Sequence, residues 1–152
     1  MTREYPSLLN AVAAGAAYFA AIFALGFLLG VGRTALLAAN PALDRTTGVL
    51  IELPLMLAAS WFACRWLALR FAVSPQMPQR VLMGAVAFAL LMLAELSVGA
   101  VLSDRTVAEH FALYRQPSYL AGLIGQVAFA LIPLAQMLLL RAKAGGPPPS
   151  SR

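Results

Sequence analysis

Hydrophobic residues along this chain fall into four long runs, near 8–32, 47–69, 81–102 and 119–140, with charged and turn-forming residues gathered between them. Each run reaches the ~20 residues that a helix rising 1.5 Å per residue needs to cross ~30 Å of hydrocarbon. Lipid offers the backbone no hydrogen-bond partner, so only helices and closed barrels span it. These Ala- and Leu-rich runs lack the strict alternation of barrel strands. The pattern predicts an all-α, four-helix transmembrane bundle over 1–144 and a disordered tail at 145–152, where the chain reads GGPPPSSR. The connections are short, which predicts that consecutive helices are antiparallel neighbours.

Local signals add detail. Asn40 followed by Pro41 reads as an N-cap and first helical residue, so the second helix is expected to start there. Thr106 and Glu109 have capping-box spacing, and Val107, Phe111 and Tyr114 then share a stripe. A short interfacial helix is therefore expected in the loop between the third and fourth spans, with Phe111 and Tyr114 as contacts for a membrane-protein partner. Pro54 and Pro133 lie inside spans and mark expected kinks. Gly26 and Gly30 form a small-residue pair suited to close helix approach, within the bundle or in a homo-oligomer. The first run is longer than the apolar core of a signal peptide and reads as a retained anchor, although AVAAGAA also resembles a cleavage region.

Composition strengthens the membrane reading. With 61% hydrophobic and 11% charged residues, the chain cannot clothe a soluble domain of this length in polar side chains. Its net charge of +5 does not indicate nucleic acid, because the arginines stand singly at the ends of runs without interleaved aromatics. They instead suggest topology. Arg3, Arg65, Arg70, Arg80, Arg141, Lys143 and Arg152 fall on one side, and Arg33, Arg45, Arg105 and Arg115 on the other with Asp44, Asp104 and Glu109. The positive-inside rule then puts both termini in the cytoplasm. Tyr5 and Trp66 fall at the expected inner boundary, and Tyr114 and Tyr119 at the outer one.

Little in the chain suggests cofactor or nucleophile chemistry. The single cysteine, Cys64, excludes a disulfide framework or CxxC pair. The single histidine, His110, excludes bis-histidine haem ligation within one chain and reads as a solvated loop residue. Ser60 and Ser97 have no base at recognisable spacing, and Tyr18 is expected to hydrogen-bond another helix. No metal or cofactor is expected.

The informative residues are the two carboxylates within spans, Glu52 and Glu95, because an intramembrane charge is costly and ordinarily faces a bundle interior or aqueous cavity. Counting the helical rise from the ends of the spans places both about 8–10 Å below the same surface, level with Gln126 and below Arg33. Arg33, Glu52, Glu95 and Gln126 therefore form an expected polar layer toward the outer leaflet. Arg33 is expected to neutralise one acid and Gln126 to hydrogen-bond the other. Gly84, Phe88, Met92, Glu95 and Gly99 on the third span, and Gln126, Phe129, Pro133 and Gln136 on the fourth, follow helical spacing and are expected to face inward.

The string IELPLMLAASW, with AEL around Glu95 and Arg33 closing the first span, resembles a group of small, uncharacterised four-helix bacterial inner-membrane proteins. The resemblance implies an inner-membrane location and brings no activity with it. Two functions follow from the residues themselves. The first is a non-enzymatic accessory or scaffold subunit; the alternative is a proton-coupled transporter of a small solute using Glu52 or Glu95. A lipid-modifying enzyme ranks third, for want of a nucleophile or metal set.

Overall fold

The computed structural model describes residues 5–40, 44–103 and 106–144, so the expected tail at 145–152 and Arg3, Pro41, Asp104 and Arg105 lie outside the described residues. Those described form helices α1 (Tyr5–Ala39), α2 (Arg45–Arg70), α3 (Met77–Ser103), α4 (Val107–Ala112) and α5 (Pro117–Ala144), with a single 3-10 turn at Leu113–Arg115 before α5. The four long helices are each long and apolar enough to cross a bilayer. Their large apolar side chains, such as Leu28, Ile51, Phe62, Leu93 and Ile124, point away from the bundle, where lipid replaces the water that would disfavour them. The protein is an all-α membrane-spanning bundle.

α1 runs past its apolar segment to Ala39, because Thr34–Ala39 is rich in the good helix formers Ala and Leu and contains no breaker. Asn40 does not open α2. Its side-chain amide donates to the Leu36 carbonyl at 3.1 Å, closing α1 instead. The cap of α2 is Asp44, whose carboxylate accepts from the Thr47 amide at 2.8 Å. A carboxylate is also favoured over a neutral amide by the positive end of the helix dipole. The Thr47 donors hold the Asp44 carboxyl below its usual range.

The helices are arranged as a ring in the order α1, α2, α5, α3, in which α1 and α5 each pack on both α2 and α3. This corrects the expected neighbour order, since α2 and α3 lie across a diagonal although only a short segment joins them. That segment is folded into the core. Ala72 adopts a left-handed φ of 50°, the Val73 amide bonds back to the Ala68 carbonyl at 2.9 Å, and Val73 is buried. Arg80 is buried as well, donating to the Val73 carbonyl at 3.3 Å. The connection thereby forms a floor under the bundle and carries the chain to the opposite corner.

The core occupies the half of the bundle nearest the chain ends. There Ala11, Ala14, Tyr18, Cys64, Met83, Ala87 and Met137 are fully buried. Two glycines permit the close crossings: a Cβ on Gly15 would lie 2.6 Å from the Met83 carbonyl oxygen, and one on Gly84 would overlap the Ala130 carbonyl. Toward the α4 end, the same four helices line an open cavity.

Candidate functional site

The cavity has a volume of about 940 Å³ and is walled by all four spanning helices, with His110 and Tyr114 contributed from the α4 segment. Its inner end rests on the core. There the Tyr18 ring stacks on Phe129 at 4.3 Å between centroids, and its hydroxyl donates to the Phe129 carbonyl at 3.3 Å. That carbonyl lies four residues before Pro133, which has no N–H to offer it. Tyr18 thus satisfies the acceptor that Pro133 leaves free, and in doing so ties α1 to α5 across the other diagonal.

Arg33, Glu52, Glu95 and Gln126 all line this cavity. They form two pairs. Arg33 of α1 makes an ion pair with Glu52 of α2, each side chain about one-fifth exposed. Gln126 of α5 donates its amide to Glu95 of α3 at 2.5 Å. The Gln126 side-chain oxygen is buried without a hydrogen-bond partner among the described residues. Glu95 makes no ion pair with a described residue, so the two acids differ in kind: one is neutralised by a cation and the other is held by a neutral amide.

A glycine one helical turn from each acid makes room for its surroundings. Gly48, four residues before Glu52, lets the Arg33 stem lie on α2, where a Cβ would come within 2.9 Å of Arg33 Cδ. Gly99, four residues after Glu95, admits the His110 ring, whose Nδ1 would stand 3.2 Å from a Cβ there. Gly125 similarly receives the Leu53 side chain beside Gln126. Only Gly99 was legible as an inward-facing position; Gly48 and Gly125 become meaningful once the partner helix is known.

His110 is the main correction at the site, because it is buried rather than solvated. α4 is fixed by its capping box: the Glu109 amide donates to the Thr106 hydroxyl at 3.3 Å, and the Thr106 amide to the Glu109 carboxylate at 2.8 Å. In the helix so fixed Val107 and Phe111 are exposed, while His110 is buried against Gly99 and lines the cavity with Glu95. Tyr114, one turn on, meets His110 Nε2 at 3.4 Å with the rings edge to face. Burial, and secondarily the Glu95 charge, push the Tyr114 phenol above its usual pKa. Tyr114 therefore belongs to the cavity more than to the outward face expected for it beside Phe111. The signal available in the sequence was the i, i+4 spacing of His110 and Tyr114.

Of the other expected residues, Pro54 and Pro133 lie within helices that continue through them, Pro54 exposed and Pro133 fully buried near Gly84. Gly26 faces Met56 of α2, a contact inside the chain, whereas Gly30 lies beside the Arg33 guanidinium. At the cavity mouth Arg45 stacks over the Tyr119 ring at 4.6 Å from its centroid. Among the described residues, no cluster of three His, Cys, Asp or Glu side chains is placed to hold a metal ion.

Comparisons with protein-family models, with curated proteins and with solved structures found no match to this chain. The candidate site therefore stands on its geometry.

Proposed function

We propose that this protein is a non-enzymatic carrier that binds a small amphipathic solute in the cavity between its helices and exchanges it for a proton at Glu95. The observation that carries this reading is the contrast between the acids: Arg33 neutralises Glu52, while Glu95 faces the cavity with Gln126 as its hydrogen-bond partner among the described residues. An intramembrane carboxyl without a fixed cation binds either a proton or a charged ligand, and competition between the two is the elementary step of exchange. The cavity volume is in the range of small-molecule sites, and its walls combine apolar side chains with a few polar groups.

The accessory-subunit reading has one observation in its favour, the exposed Val107 and Phe111 pair on α4. It predicts a stoichiometric membrane partner after extraction in mild detergent. We further propose a bacterial inner-membrane location with both termini cytoplasmic, which the exposed Arg70, Arg141 and Lys143 near the chain-end side support.

The carrier reading is tested by reconstituting the chain in vesicles with a trapped pH dye, imposing a pH gradient and supplying solutes of differing charge and apolarity. Proton flux driven by a solute is expected with the native chain and is expected to vanish with Glu95→Gln. Absence of protein-dependent flux for every solute, or equal flux through E95Q, overturns it.

A further inference from the structure

Resting on the carrier reading, we infer that the cavity's solute is a hydrophobic organic cation, seated with its charge on Glu95 and its apolar body against the aromatic wall of α1.

The charge balance inside the cavity selects the sign. Of the charged groups that line it, Arg33 and Glu52 cancel one another. Arg45 is the first residue of α2, at the mouth, exposed and stacked on Tyr119. Glu95 lies eight residues inside the end of α3 at Ser103, ~12 Å deeper along the axis at 1.5 Å per residue. The groups facing it from the other elements are His110 and Tyr114 from the α4 segment and Gln126 from α5. Among the described residues, Glu95 is thus the carboxylate lining the cavity that has no ion-pair partner. The Gln126 side-chain oxygen beside it is a second buried acceptor awaiting a donor. An anionic solute would meet the Glu95 charge, whereas a cation answers it, and a cation that carries an N–H also serves the Gln126 oxygen.

The walls select the rest of the solute. Phe19, Phe23 and Phe27 form a ladder along α1 with successive centroids 5.3 and 6.5 Å apart, and the last two rings line the cavity. Phe129 lines it from α5. Aromatic faces attract cations through the ring quadrupole and give apolar bodies a surface to lie on, most effectively where water is excluded. A strongly hydrated metal ion has no use for such walls. A lipophilic amine or quaternary cation uses both the acid and the rings.

The test employs an isosteric pair of opposite charge, tetraphenylphosphonium and tetraphenylborate, with the full chain in phosphatidylcholine nanodiscs and empty nanodiscs as the baseline. Saturable binding of tetraphenylphosphonium is expected at near one site per chain, weakened tenfold or more by E95Q and severalfold by Phe23→Leu. Raising the proton concentration is expected to displace it. Glu95→Asp, which keeps the charge, is expected to retain measurable binding, and circular dichroism with size-exclusion chromatography checks that each variant is folded. Stronger protein-dependent binding of tetraphenylborate, or unchanged phosphonium affinity in a folded E95Q, overturns the inference. Binding with these properties but no proton-coupled flux overturns the carrier reading and leaves the cation site standing. Flux restricted to neutral or anionic solutes does the reverse.

Discussion

At the scale of single residues, Tyr18 and Pro133 show how one side chain's defect becomes another's function. Proline removes the donor that would serve the Phe129 carbonyl, and the Tyr18 hydroxyl supplies one from α1. Tyr18→Phe is expected to destabilise the bundle by about 0.5–1.5 kcal/mol, the net worth of one such hydrogen bond. In a Pro133→Ala background the helix can serve its own carbonyl, so the same change should cost less. Reversible unfolding of the four proteins in mixed micelles measures the difference, and equal costs in both backgrounds would refute the link. The Arg33 and Glu52 pair invites a similar cycle. Arg33→Ala alone leaves a part-buried carboxylate without its cation and is expected to cost about 1–3 kcal/mol after allowance for partial exposure. Removing both partners should cost less than the sum of the single changes.

At the scale of elements, glycines decide how closely the helices cross. Gly84 meets backbone of α5, which cannot rotate aside, so Gly84→Ala must push α3 and α5 apart and is expected to cost about 1–3 kcal/mol. Gly122 on α5 has nothing within 4 Å of its Cβ position and provides the control: Gly122→Ala should be neutral or stabilising in the same assay. Helix capping gives a pH-dependent counterpart. The folded state holds the Asp44 carboxyl below its ordinary pKa of ~3.9, so the cap's contribution is present above that value and fades as pH falls through the depressed one. Asp44→Asn is thus expected to lower the melting temperature at neutral pH, with the deficit shrinking in acid; a deficit independent of pH would contradict the capping account. Tyr114 works in the opposite sense. Its raised phenol pKa means that its contribution persists below ~10 and is lost as the pH climbs beyond it.

At the scale of the whole molecule, the bundle is tight near its chain ends and open at the α4 end, and this asymmetry is what creates a cavity from four simple helices. The connection that buries Val73 and Arg80 closes one end, while α4 turns His110 inward at the other. Topology reporters fused at the C-terminus should read cytoplasmic; a periplasmic signal would reverse the proposed orientation and with it the side from which the cavity is approached. Four crossings were legible because the hydrocarbon thickness imposes a length and an apolarity that any spanning helix must meet. The four polar residues were legible as a layer because helical rise converts sequence position into depth. Depth alone did not say that Arg33 takes Glu52 and Gln126 takes Glu95 instead of the reverse, nor that Gly48 and Gly125 clear the way.

The sequence by itself determined the elements and their membrane-spanning character, because those depend on local apolarity, helix propensity and length. The tertiary structure alone decided the ring order, the burial of His110 and the difference between the two acids. Each of these depends on which faces of separate helices meet, and a periodic pattern within one helix carries no record of the azimuth of its neighbour. Four greasy segments with two acids at one depth thus became one cavity in which Glu52 is already neutralised and Glu95 is still available.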